Sequence, residues 1–378
     1  MQSIGRSLRI LFVIDNLCTG GAQRQLVNLA TGLKKRGYSI EVYCYASGNM
    51  LAQPLYEMDI PVHWHIKHNR FSLDVVTALR RLITKQEYNL LLSFLTTPNF
   101  YTILCGKLLG LQHHATVISE RFCDLPGVLS ILERLSRQFY YLSDHVIFNS
   151  HHQRLNFEHK YPKLKGRLST IYNGYDLNIF FPAVSQNGDP ILRLLAIASI
   201  SRYKNGLCLV ESLNILRKQY NLMPTVTWIG QKVMTGDRLR YLNEMEEKIQ
   251  AYNLETQWHW LGQRTDIVQQ LHQHDVLIHP SYGEGLPNVV CEALACARPV
   301  IVSNTLDHPR LVQDRESGYL FDWQDPYDLA KKIKTFSDLP LEERNEMGQK
   351  GRQYAEKNLL IDRYLDDYER LFFDILSK

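Results

Sequence analysis

Short apolar runs alternate with amphipathic helical stretches along this chain, and that alternation constrains its fold more than any other feature. "LRILFVID" (8–15) is an apolar run of strand length, and "SIEVYCYA" (39–46) is a second. Between them "AQRQLVNLATGLKKRGY" (22–38) places Leu26, Leu29, Ala30 and Leu33 on one helical face, with Gly37 as its stop signal. A strand that is apolar on both faces must be covered on both, so these runs belong in a parallel sheet between helices. The first 46 residues therefore read as a β-α-β unit.

The pattern continues through "YNLLLSFL" (88–95), "ATVISE" (115–120) and "DHVIFNS" (144–150), then meets turn formers from 173 to 190 that end in "NGDP". A linker is expected there. Afterwards the alternation restarts with "LRLLAIASI", "TVTWIGQ", "WHWLG", "VLIHPS", "PVIVSN" and "GYLFD" as strands. The last stretch, from Glu342, reads as helical throughout, with Tyr364, Tyr368, Leu371, Phe372 and Ile375 on one stripe. At 378 residues the chain exceeds a single core. The expectation is an α/β protein of two doubly wound, Rossmann-like domains, 1–175 and 190–355, with 356–378 as a terminal helix.

Composition excludes several classes. Apolar residues at 45% and charged residues at 22% fit a globular chain rather than a disordered one. No run approaches the 18 apolar residues of a membrane span, and Ile10–Ile14 is too short for a signal-peptide core, so a cytoplasmic chain is expected. The seven cysteines are scattered without a C-x-x-C pair, and the histidine pairs His113-His114 and His151-His152 are poor bidentate ligands; no metal is expected. Residues 1–180 carry 20 Lys and Arg against 12 Asp and Glu, while residues 181–378 carry 23 against 27. A basic first half suits an anionic partner such as a lipid surface, a lipid-linked phosphate or a nucleic acid.

In open α/β sheets ligands bind beyond the carboxyl ends of the strands, and three motifs sit just after strands. In "CTGGAQRQ", Gly20 and Gly21 follow the first strand and open a helix, where freed amides suit a phosphate; the ordinary alternative is a tight strand-to-helix turn. The pattern is neither G-x-G-x-x-G nor a P-loop. In "ASISRYKNG", Arg202 and Lys204 are two cations suited to a diphosphate leaving group, or simply to a solvated loop. In "PSYGEGLPNVVCEALACARPVIVSN" (280–304), Glu284 precedes a helix and Glu292 lies inside it, with the amides of Gly285, Leu286, Pro287 and Asn288 around the helix start. Pro287 suits the first helical position. Two carboxylates so spaced cannot form a close acid pair, but they suit two ends of one extended ligand such as a sugar nucleotide. The plain alternative is an exposed helix glutamate and a loop glutamate.

The last motif resembles the E-x7-E segment of the retaining glycosyltransferases of family four, the group 1 transferases with a GT-B fold. "TGGAQRQ", "IYNGYD", "SRYKNG" and "LGQRTDI…LHQHDVLIHPS" fall in the matching order, so the resemblance spans nearly the whole chain. It implies two domains facing a central cleft and a C-terminal helix crossing back to the first. It implies that Glu284 holds the donor sugar's hydroxyls, Glu292 the ribose, and Gln263 and Arg264, beside Gly262, the base. Gly20 and Gly21 would approach the diphosphate or sugar, and Lys204 with Arg202 would stabilise the leaving phosphate. The family's arginine usually precedes its lysine by five or six positions, where this chain has Ser199 or Ala198. A histidine common in the N-terminal domain is replaced in "VISERF" by Glu120 and Arg121, which places Glu120 among the catalytic candidates. The glycine of the family's "EAMACG" is Ala297 here, a change expected to affect packing.

The resemblance further implies a metal-independent, retaining transfer in which the donor phosphate accepts the acceptor's proton, consistent with the lack of an obvious base and of a D-x-D motif. The expected donor is a nucleotide diphosphate sugar, a uridine diphosphate sugar in particular. The expected acceptor is a glycan or a polyprenyl-diphosphate-linked glycan in surface polysaccharide biosynthesis, and no nucleic acid is expected. "LPGVLSILERLSRQFYYLS" (125–143) reads as a helix with Val128, Ile131, Leu132, Leu135 and Phe139 on one face and Arg134 and Arg137 on another, either core or a contact with anionic membrane at the inner surface. Two readings compete with a transferase: a GT-B epimerase or phosphorylase, and a non-catalytic nucleotide- or carbohydrate-binding protein.

Overall fold

The computed structural model describes residues 8–18, 20–67, 73–109, 114–121, 131–182, 191–232 and 235–377. The chain divides into two compact units, one reaching Gly174 and resuming at Ile361, the other Tyr175–Leu360. Residues 183–190 of the expected linker, residues 125–130 of the expected amphipathic helix, His113 and Thr19 lie outside the described residues.

The first unit holds seven strands: β1 (Arg9–Ile14), β2 (Ser39–Cys44), β3 (Val62–Trp64), β4 (Leu90–Phe94), β5 (Ala115–Glu120), β6 (His145–Phe148) and β7 (Leu168–Thr170). All pair in parallel, in the order β3-β2-β1-β4-β5-β6-β7. Alternation along β1 explains its continuous apolar sequence. Ile10, Phe12 and Ile14 enter a core shared with helix Gly21–Lys35, while Leu11 and Val13 enter one shared with helix Leu73–Gln86 on the opposite face. Leu26, Leu29, Ala30 and Leu33 are fully buried, and Gly37 turns the chain at φ 95°. The helix Ile361–Leu376 buries Tyr364, Tyr368 and Phe372 in the first of these cores. Arg36, at the end of helix Gly21–Lys35, bonds Asp366 and Glu369 of that terminal helix.

The second unit holds β8 (Arg193–Ile197), β9 (Thr225–Ile229), β10 (Trp258–Gly262), β11 (Val276–His279), β12 (Val300–Ser303) and β13 (Gly318–Phe321), parallel in the order β10-β9-β8-β11-β12-β13. Its core gathers Leu194, Ala196, Val226, Trp228 and Ile278 under helices Gly206–Tyr220 and Pro326–Asp338, with Trp228 stacked on Trp258. Strand order reverses between β1 and β4 and again between β8 and β11, and such switch points are where this architecture binds ligands.

Four expectations are corrected. Strands β3 and β7 are absent from the sequence reading because each has three half-buried residues, too few for a periodic signal. The terminal stretch is two helices, Leu341–Asn358 and Ile361–Leu376, broken where Tyr175 N–H donates to the Leu359 carbonyl at 2.8 Å and bridges Leu360. On the expected amphipathic helix it is Arg137, from the face opposite the apolar stripe, that is buried, whereas Leu135 and Phe139 of that stripe are exposed at 57% and 37%. Burial there follows charge pairing rather than hydropathy, because Arg137 is drawn in by Glu120. Ala297 is a backbone position as well as a packing one: it sits at φ 52°, the left-handed region that favours glycine.

Candidate active site

Adjacent strands β8 and β11 end at the second unit's switch point, and the loops that follow them are laced together. After β8 comes a single turn, Arg202–Lys204, and Asn205 at φ 58° redirects the chain into helix Gly206–Tyr220. After β11, Pro280–Pro287 leads into helix Asn288–Ala295, with Pro287 just outside the first helical position. Tyr282 N–H donates to the Tyr203 carbonyl at 2.9 Å, and the Ser281 hydroxyl donates to the same oxygen at 3.0 Å. Asn205 Nδ2 donates to the Trp323 carbonyl at 2.8 Å, and the Trp323 ring lies 4.4 Å from that of Tyr282.

The lacing brings Lys204 and Glu284, 80 residues apart in sequence, into a direct ion pair. Their side chains are 14% and 13% exposed, so the pair is sheltered yet reachable. Glu284 Oε1 also lies 3.0 Å from His279 Nε2 at the end of β11. Burial pushes the Glu284 carboxyl upward, but the Lys204 ammonium and the His279 hydrogen bond outweigh it and hold the group well below the usual carboxylate range. An ionised Glu284 only accepts, so the His279 Nε2 carries the hydrogen and donates. Burial lowers the His279 imidazole's pKa, with Glu284 opposing the shift.

Glu292 is buried at 3% exposure on helix Asn288–Ala295, which rules out the exposed-helix alternative. Gly285, Leu286 and Pro287 are buried as well, and Asn288 Oδ1 accepts from the Tyr175 hydroxyl at 2.6 Å. Arg202 lies elsewhere: its guanidinium donates to Glu244 at 2.5 Å and rests over the Tyr241 ring. Gln263 and Arg264 are exposed beyond β10, and both oxygens of Asp266 take the Arg264 guanidinium at 2.8 Å.

In the first unit, Gly20 and Gly21 follow β1 and open helix Gly21–Lys35, with the Gln23 amide occupying the space a Gly20 side chain would need. Gln23 Nε2 donates to Asp15 at 3.1 Å. Glu120, at the end of β5, is 1% exposed and fully engaged: Thr96 and Tyr140 hydroxyls donate to it at 3.1 and 2.8 Å, and Arg137 lies at 3.3 Å. Arg121 is buried over the Phe94 ring and donates to Asn173 and to the Tyr368 hydroxyl.

Sequence reasoning missed two residues behind Glu284. One is His279, and the other is His308, whose ring meets the His279 ring edge-on at 5.4 Å and whose Nδ1 donates to the Ser303 carbonyl at 2.8 Å. The available signal was position, since the histidine of "VLIHPS" ends a buried strand directly before the loop that carries Glu284.

Two tandem parallel sheets, each with a switch point in its strand order, define a GT-B fold, and the second carries a lysine–glutamate pair at its switch point. The sequence pattern of Glycosyltransferase Family 4 matches residues 19–179, and that of glycosyl transferases group 1 matches residues 180–354. The chain belongs to this family of group 1, GT-B glycosyltransferases. Over 31% of its length it is 32% identical to the N,N'-diacetylbacillosaminyl-diphospho-undecaprenol alpha-1,3-N-acetylgalactosaminyltransferase of Campylobacter jejuni, a match covering only 32% of that relative. Over 86% of its length it is 24% identical to a second Campylobacter jejuni protein, an alpha-1,4-N-acetyl-D-galactosaminyltransferase whose name specifies a glycan on PP-undecaprenol, with 88% of that relative covered. The Anabaena HepE structure in complex with UDP superposes with a TM-score of 0.82 at 20% identity, covering 97% of this chain and 100% of that one. Among the described residues, no group of three or more His, Cys, Asp or Glu is placed to hold a metal ion, and no helix is long and apolar enough to cross a membrane.

Proposed function

We propose that this chain is a retaining, metal-independent glycosyltransferase that moves a sugar from a uridine diphosphate sugar to a polyprenyl-diphosphate-linked glycan in surface polysaccharide synthesis. The observation that carries the reading is the Lys204–Glu284 pair at the switch point of the second sheet. Lys204 neutralises the departing diphosphate, the term on which a reaction with little covalent chemistry depends most. Glu284 holds donor hydroxyls beside the amides around Gly285, Leu286, Pro287 and Asn288, Glu292 holds the ribose, and Gln263 with Arg264 meets the base. Gly20 and Gly21 offer amides to the diphosphate or sugar. Arg202 assists only by leaving Glu244, so its share is the smaller one. Glu120 is the anchor of a buried network and does not touch reacting atoms.

Support for the acceptor class comes from the Campylobacter relatives, whose names specify undecaprenol diphosphate glycans, and support for the donor from the UDP held by HepE. Exposed Leu135 and Phe139 beside exposed Arg134 suit contact with an anionic membrane surface from the basic first half. A thermal-shift panel of nucleoside diphosphates and their sugars tests the donor class, because a ligand that binds the folded state raises its melting temperature. Uridine compounds are expected to give the largest rise, and a flat panel would reject the reading. Product formed without any acceptor would favour an epimerase instead.

A further inference from the structure

We infer that His279 is a positioning residue for Glu284, keeping its carboxylate aimed at the donor sugar while Lys204 is drawn onto the diphosphate. The inference rests on the proposed function and names a residue that function does not use. Lys204 and His279 both donate to the same oxygen of Glu284, Oε1. They differ in kind. Lys204 is a compact charge on a flexible stem in the turn after β8, and an arriving diphosphate competes with Glu284 for it. His279 is rigid: it ends β11, its side chain is 2% exposed, and its ring is braced by His308.

His308 is in turn fixed by Nδ1 donation to the Ser303 carbonyl at the end of β12. Its Nε2 is buried with no hydrogen-bond partner among the described residues, the state of a neutral imidazole rather than a cation. Burial agrees, pushing the His308 imidazole down to about 3. The end of β11 and the short helix His308–Leu311 after β12 thus present two neutral rings behind Glu284, one donating a single uncharged N–H. A neutral donor holds the carboxylate without competing for the phosphate, which a second cation there would do. Without it, withdrawal of Lys204 would remove the second of these two donors to Oε1 from a sheltered carboxylate.

The test measures binding of UDP and of UDP-sugars by calorimetry, and transfer kinetics, in wild type, His279→Leu and His279→Asn. The probes are UDP, UDP-glucose, UDP-galactose and their N-acetylamino forms. Wild type is expected to bind one UDP-sugar more tightly than UDP. His279→Leu should bind UDP as wild type does, lose tenfold or more of the sugar-dependent gain, and lose kcat with the acceptor KM unchanged. His279→Asn, which keeps an N–H donor, should recover most of the gain. His279→Phe keeps ring volume without the donor and replaces the leucine variant should that one melt early. A gain that survives in His279→Leu or His279→Phe overturns this inference alone, as does equal weakening of UDP and UDP-sugar binding in His279→Leu and His279→Asn, the mark of a merely structural residue. Absence of any sugar-dependent gain in wild type overturns the proposed function and this inference with it.

Discussion

Glu120 and Glu284 both stand beyond the carboxyl end of a parallel strand, both face a cation, and their surroundings differ in one respect that separates their roles. Around Glu120 the described partners are buried: Arg137 is 3% exposed at its side chain, Tyr140 is fully enclosed, and Glu120 itself is 1% exposed. Around Glu284 the cation is a lysine on a loop, with both side chains partly open. An arginine buried against a buried carboxylate is held in place, while a partly open lysine can exchange its carboxylate for a phosphate. The enclosed pair is suited to holding the fold, and the open pair to changing partners.

That contrast can be broken in either unit. The largest expected effect is Arg137→Leu, which leaves Glu120 buried without its cation and should cost about 3–5 kcal/mol of stability, read from urea denaturation. Equal stability of the variant would mean that Glu120 is not held as an ion pair.

In the second unit the loss should appear in turnover instead. Lys204→Ala is expected to reduce sugar transfer about 10²–10³-fold, the effect of removing one donor to a developing oxyanion. Arg202→Ala should cost a few-fold at most, since its exposed pair with Glu244 is worth about 1 kcal/mol or less. Steady-state kinetics on the two variants would reverse the assignment of roles if the arginine proved the more damaging loss.

A third test sharpens the contrast through pH. The His308 imidazole is pushed from 6.5 down to about 3 by burial, with the neighbouring His279 adding to the shift and the Ser303 carbonyl and Glu284 opposing it. Between those values the unfolded chain binds a proton that the folded one refuses, so stability rises with pH across that window and falls on acidification from 6.5. The loss should approach about 1.4 kcal/mol per pH unit. Melting temperatures at pH 7 and pH 5 should therefore converge in His308→Leu relative to wild type. Glu284, held low, contributes stability that persists to more acid pH than an ordinary carboxylate's and is lost only below its unfolded range.

The smallest effect concerns Ala297. An L-residue at φ 52° is strained by about 1 kcal/mol, partly offset by the greater chain entropy of glycine, so Ala297→Gly should raise stability by about 0.5 kcal/mol. Calorimetric melting that moved downward would show that the alanine methyl packs usefully there.

Much of the fold was legible because parallel strands buried on both faces write themselves as continuous apolar runs. Strands β3 and β7, with three half-buried residues each, leave no such mark. The break at Asn358–Leu360 was invisible for another reason: "EKNLLIDRY" reads as unbroken helix, and it is the distant Tyr175 that interrupts it. The site shows the same division. Glu284, Glu292 and Lys204 are conspicuous by their positions after strands, but "VISERF" offered Glu120 on equal terms with them. What sets Glu120 apart is its buried partners, Arg137 17 positions later among them, which nothing near "VISERF" announces. His279 lies at the end of an apolar strand run, and alternation along four residues does not say what lies beyond the strand's end.

The most direct measurement is sugar transfer from the best-binding UDP-sugar to a polyprenyl-diphosphate glycan by wild type and Glu284→Ala, with melting curves recorded on both. The account expects at least about a hundredfold loss of turnover in a variant that still folds and still binds UDP. Unchanged turnover by a folded Glu284→Ala would contradict it.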